Sequence, residues 1–432
     1  MADVALSPLA TTVEWPTATP AAEGLDPARL TDVLNRIRRR EYGNINSLLV
    51  VRRERLVMEE YFNSWNAATA HTQQSVTKSV TSLAAGLAID RGMLRVSDPV
   101  LPLFPDYQPV AAVDANKQAL TVRDLLMMRT GYDWSEQNYS GSPLERLNTC
   151  FCDWIRLMLD WRLREAPGSR FEYVSGGVIL LGAAIERATG MRVDRWLDAG
   201  LFTPLGFGAI EWFHGQPQGL PHTGGGLSLR PRDMAKLGTL VATRGRWQGR
   251  QIVSEAWIRE STQTQPGPPH IFGGQPTTYG YLWWGLPGGV TTASGARGQW
   301  IFAVPDRELV VVSTAGNDDG NASAAVRILY DRRDSAFSRL VADDVDWTLI
   351  RSARLVHLTG VTAALGENIR DVVRRAIAEA EAARVPVERL ELVIHQHLPL
   401  FHMEHCVFAH LLSNGADYRT CGRPCEVHAL SL

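Results

Sequence analysis

Lysine is nearly missing from this chain. Its 432 residues hold three, Lys78, Lys117 and Lys236, so 41 of the 44 basic side chains are arginine. Arginine cannot give up its proton inside a protein, whereas a desolvated lysine can. Cysteine is sparse too, with five residues, which excludes a disulfide scaffold and fits a reduced compartment. No run of eighteen apolar residues is present, which excludes a membrane-spanning helix. A net charge of -2 argues against nucleic acid or a membrane surface as the main partner. Residues 1–20 carry no basic stretch followed by an apolar one, so a cytoplasmic location is expected. Gly-x-Ser-x-Gly is absent, which disfavours an α/β-hydrolase. What is present, 45% hydrophobic and 21% charged residues, is globular and long enough for two or three domains, or one large domain with an appendage.

The most informative stretch is Gln74-Ser75-Val76-Thr77-Lys78-Ser79-Val80 and its continuation to Gly92. Val76, Val80, Leu83, Ala84, Leu87 and Ala88 recur at helical spacing, and Gly92 suits the end of that helix. A serine opening a helix is ordinarily its N-cap. Here Lys78 lies three residues on, so amine and hydroxyl share a face. A rare lysine beside a serine on an apolar helix points to a nucleophile, Ser75, with its base, Lys78.

Along the chain, Asp26 and Pro27 open a helix to Arg40, and strands are expected at 47–52 and 56–61. Leu120 to Met128 reads as a capped helix, and 144–165 as one helix with Trp154, Leu157, Met158 and Trp161 on a face. Cys150 and Cys152 within it read as small hydrophobes. Tyr173-Val174-Ser175 enters an apolar helix at 178–188. Tyr173 is either an aromatic anchor or a phenol relaying a proton, and Ser175 either an N-cap or a hydrogen-bonding support. Gly224-Gly225-Gly226 calls for close backbone approach rather than phosphate binding, since no Lys-Ser/Thr pair follows. Tyr279 to Gly285 reads as a strand with aromatics on both faces, followed by strands at 300–304 and 309–313. Small residues at Ser294 and Gly295 would admit a substrate carbonyl to the strand backbone, as an oxyanion hole requires. Trp283, Ser175 and Ser294 are assigned to the substrate-binding wall.

These motifs together resemble the serine β-lactamase and penicillin-binding-protein-like family, within its class C-like branch of family VIII carboxylesterases and 6-aminohexanoate-dimer hydrolases. The resemblance rests on Ser75-Val76-Thr77-Lys78, Tyr173-Val174-Ser175, Leu120 to Leu126, Pro167 to Tyr173, Gly224 to Ser228 and Gly298-Gln299. It implies an α+β fold, an antiparallel sheet flanked by helices plus a helical domain. It also implies an acyl-enzyme on Ser75, Lys78 as base, Tyr173 as proton relay, and backbone N–H groups of Ser75 and Gly295 as the oxyanion hole. No cofactor is implied. Serine stands where the family has the asparagine of Tyr-x-Asn, and no cation stands near Thr292 to Gly295, where the family has Lys-Thr-Gly or His-Thr-Gly. That missing cation weakens an antibiotic substrate. Glu145-Arg146-Leu147-Asn148 reads as a surface helix.

The expected domains are an arm at 1–20, the hydrolase at 21–332 with a helical subdomain at about 93–210, and an extension at 333–432. The extension reads as a helix at 369–383, a strand ending at Ile394 and a His/Cys-rich tail. Residues 380–432 resemble a fragment of the U32 peptidase family. Cys406, Cys421 and Cys425 are candidate metal ligands, one thiolate short of four, with His402 or His428 able to complete a zinc set. A fused fragment without metal is the favoured reading. The expected activity is hydrolysis of a small-molecule carboxylic ester. Alternatives are a linear amide, a β-lactam or D-amino-acid peptide, or a non-catalytic binding protein.

Overall fold

The computed structural model describes residues 15–317, apart from 137, 138, 216, 265–269, 273 and 274, together with 356–359, 375, 378 and 390–393. The chain divides into two units, Met1–Ala325 and Val326–Leu432. In the second, strands Val356–Thr359 and Leu390–Val393 pair in parallel. The cysteines and histidines considered for metal lie outside the described residues.

The first unit is built on an eight-stranded antiparallel sheet. In chain order its strands are β1 (Ile45–Arg52), β2 (Arg55–Tyr61), β3 (His270–Phe272), β4 (Gln275–Tyr279), β5 (Trp284–Leu286), β6 (Val290–Gly295), β7 (Gln299–Val304) and β8 (Leu309–Ala315). Spatially they run β3-β4-β5-β6-β7-β8-β1-β2, so the first hairpin closes onto the last strand. Leu49, Val50 and Val51 of β1 pair with Val312, Val311 and Val310 of β8. Branched side chains buried along both strands make this the middle of the core.

The helices are α1 (Pro27–Arg38), α2 (Val76–Asp90), α3 (Ala115–Ala119), α4 (Val122–Leu126), α5 (Pro143–Thr149), α6 (Trp154–Asp160), α7 (Ser175–Thr189), α8 (Val193–Leu197), α9 (Pro231–Ala242) and α10 (Glu255–Thr262). Asp26 caps α1 through the N–H groups of Ala28 and Arg29, and Thr121 with Asp124 forms a capping box on α4. Helix α9 lies against β8, β7 and β1. Gly238 permits that approach, since a Cβ there would come within 2.4 Å of Val310. Helix α2 is buried from Val76 to Ala88, between β6 and β7 on one hand and α7 and α8 on the other. Gly86 admits the Trp257 ring of α10, whose Nε1 donates to the Ser82 carbonyl at 3.1 Å. A helix buried on all sides can hold a reactive side chain with little freedom.

Two expected elements are divided. The helix at 144–165 is α5 and α6, each with its own cap, Ser142 and Asp153. Between them Cys150 and Cys152 form a disulfide, so they are not free thiols, although both pack on the core edge. The aromatic strand at 279–285 is instead a turn between β4 and β5. Leu282 holds a left-handed φ of 63°, its N–H donates to the Leu126 carbonyl, and its own carbonyl accepts from Ser79 Oγ at 2.6 Å. No helix among the described residues is long and apolar enough to cross a membrane.

Candidate active site

Ser75 precedes α2, and its side chain accepts no capping hydrogen bond from the helix. Its hydroxyl faces Lys78 instead, with Nζ 3.0 Å from Oγ. Gln74, just before it, holds a left-handed φ of 50°. Gln73 anchors the turn, its backbone N–H donating to Leu227 and its side chain to the His71 carbonyl.

Lys78 is 1% exposed. Its amine also donates to the Gly224 carbonyl at 2.6 Å. Thr223 holds that carbonyl in place: Thr81 donates to its carbonyl, and its own hydroxyl donates to Val178 of α7. The glycine is required, because a Cβ on Gly224 would stand 2.9 Å from the Ser175 carbonyl. Burial pulls the Lys78 ammonium down to about 8, while Glu136 pulls the other way. A neutral amine has two hydrogens and one lone pair. With one N–H on Gly224, the lone pair remains for the Ser75 O–H.

Tyr173 places its ring 4.8 Å from Lys78 Nζ, and its phenol faces Ser75. Burial pushes that phenol well above its ordinary range, keeping it protonated. Trp284 stacks on Tyr173 at 6.2 Å between centroids. Tyr173 thus meets Ser75 and Lys78 at the start of α2, from far along the chain.

Gly295 ends β6 against the turn that carries Ser75. A Cβ there would fall 2.2 Å from the Gln73 carbonyl oxygen, so the strand backbone packs directly on the residues before Ser75. Pairing of β5 with β6 stops at Trp284 and Thr292, leaving Ala293 to Gly295 beyond the end of the neighbouring strand. Ser294 is buried at the same place. Trp283 departs from its assignment. It is 2% exposed and sits in the core, and Trp284 is the aromatic beside Tyr173, because the turn at Leu282 breaks strand alternation.

Sequence reasoning missed two neighbours. Glu136 accepts from Ser175 N at 2.6 Å, Ser175 Oγ at 2.8 Å and Trp134 Nε1 at 2.6 Å. His222 is buried beside Lys78, and burial brings it down to about 4. Its Nε2 lies 2.9 Å from Asn148 Oδ1, so Nε2 carries the hydrogen and Nδ1 keeps a lone pair. Asn148 on α5 thus serves the interior, not a plain surface helix. Glu136 lies in a loop without periodicity, and no spacing rule would have found it. Among the described residues no cluster of three or more His, Cys, Asp or Glu could hold a metal.

Residues 46–334 match the family described as Beta-lactamase, and the chain belongs to that family. It is a serine hydrolase. The 6-aminohexanoate-dimer hydrolase of Paenarthrobacter ureafaciens is 25% identical over 311 residues, 67% of this chain and 76% of the relative. Esterase EstB of Burkholderia gladioli is 32% identical over 173 residues, 37% of this chain and 43% of the relative. The fold is also that of EstCE1, a hydrolase with promiscuous acyltransferase activity, at a TM-score of 0.61 and 18% identity over 71% of this chain and 98% of that one.

Proposed function

We propose that the protein hydrolyses small carboxylic esters through an acyl-enzyme on Ser75. Neutral Lys78 takes the hydroxyl proton as Ser75 Oγ attacks the ester carbonyl. Backbone N–H groups at Ser75 and Gly295 receive the oxyanion. Tyr173 carries the proton to the leaving alkoxide, then orients the water that releases the acid. The observation that carries this reading is the 3.0 Å approach of a buried, weakly basic amine to a serine hydroxyl that caps no helix. The ester preference draws on the likeness to EstB, and on a site wall that offers aromatic rings rather than a cation for a substrate carboxylate. A linear amide is the second reading, because the longer of the two matches is to an aminohexanoate-dimer hydrolase.

Turnover of p-nitrophenyl acetate and butyrate, nitrocefin and a short linear amide separates these readings. Ester turnover is expected to dominate and to fall by about 10³-fold or more in Ser75→Ala. An unchanged rate in that variant would remove Ser75 from the mechanism.

A further inference from the structure

We infer that Glu136 is a positioning residue of the Ser75–Lys78–Tyr173 site, clamping the start of α7 and fixing a carboxylate next to it. The inference rests on the proposed role of Lys78 as base. Helix α7 receives no side-chain cap from its own N-cap residue, Val174. Its first N–H, from Ser175, goes instead to Glu136, thirty-nine residues earlier in the chain. A carboxylate at that end also suits the helix dipole. Because an ionised carboxylate can only accept, the Ser175 hydroxyl must donate to it, leaving only lone pairs for any other neighbour. Trp134, buried to 2% exposure, donates the third hydrogen bond and fixes the carboxylate from behind.

The groups around the Lys78 amine show what that charge does. Ser75 faces it from its own helix, the Tyr173 ring from the segment entering α7, Gly224 and neutral His222 from the loop before α9, and Glu136 from the loop after α4. Among the described residues Glu136 is the carboxylate whose charge bears on this amine. Burial alone would make the amine a poor proton acceptor, and Glu136 restores part of its basicity. Burial holds the Tyr173 and Tyr279 phenols protonated, and the same charge adds to that effect.

The test is the pH dependence of kcat/KM for p-nitrophenyl acetate. Glu136→Gln keeps the shape and can keep all three hydrogen bonds, with the Ser175 hydroxyl reversed, but loses the charge. Its acid limb is expected to move to lower pH by about half a unit or more. Ser175→Ala keeps the charge and loses one hydrogen bond. It is expected to lower kcat while leaving the limb within about 0.2 unit of wild type. A limb that stays put in Glu136→Gln, or moves as far in Ser175→Ala, overturns the inference. Should Glu136→Gln not fold, the Ser175→Ala limb still decides, and Glu136→Asp, which retains the charge, must hold the wild-type limb. Ser75→Ala in the same series separates the two levels: turnover retained there defeats the proposed function itself, whereas turnover lost there with an unmoved Glu136→Gln limb defeats only the role of Glu136.

Discussion

Replacing Lys78 with methionine should abolish turnover and, at neutral pH, stabilise the fold. Burial lowers this amine from its ordinary 10.5 to about 8. At about 1.4 kcal/mol per pH unit, carrying the charge into the interior costs about 3 kcal/mol. The sign follows from which state holds the proton more tightly. The unfolded chain does, so below pH 8 both states are protonated and the penalty is present in full. As pH rises from 8 towards 10.5 the folded amine is already neutral, the unfolded one loses its proton, and the penalty fades. Methionine fills similar space without charge but leaves the Gly224 carbonyl without its 2.6 Å donor, a loss of about 1–2 kcal/mol. The variant should therefore be more stable than wild type by about 1–2 kcal/mol at pH 7 and lose that advantage by pH 10. Urea midpoints at both pH values, with ester turnover measured alongside, give the comparison. A stability difference that does not change between pH 7 and pH 10 would refute the depressed amine and the base assigned to it.

Other expectations follow from the same geometry. If neutral Lys78 is the base, kcat/KM should rise about fifty-fold between pH 6 and pH 8, and a flat profile there would exclude it. Lys78→Arg keeps charge but cannot give up its proton, so it should lose most activity in the same ester assay. Gly295→Ala would drive a methyl to within 2.2 Å of the Gln73 carbonyl oxygen, and should lower kcat/KM at least about tenfold, with a reduced melting temperature. Denatured protein should expose two more thiols after reduction than before, and a peptide map should join Cys150 to Cys152.

Local chemistry made much of the fold legible. Asp26 before Pro27, the β1–β2 hairpin, the Thr121 box and the strands around Trp300 and Val311 all announce themselves within a few residues. So did Ser75 with Lys78, one helical turn apart. What stayed hidden depends on distant partners. Glu136 matters through Ser175, and His222 through Asn148, each pair separated by dozens of residues. Trp283 misled because strand alternation was extended across a turn that α2 and α4 impose from outside. The scarcity of lysine drew attention to Lys78 for a reason that holds only in part. Lys117 donates to the Ala111 and Leu159 carbonyls, and Lys236 to Gly206 and Asp233, so those two anchor loops rather than exchange protons. The chain keeps lysine where a compact ammonium must fit among interior carbonyls.

All three lysines are buried, Lys78 at 1%, Lys117 at 2% and Lys236 at 4% exposure. The folded surface consequently shows amine-directed reagents no side-chain target. Attachment of a resin, a dye or a crosslinker to the folded protein cannot go through a lysine, and any lysine acylation detected reports that the interior has opened.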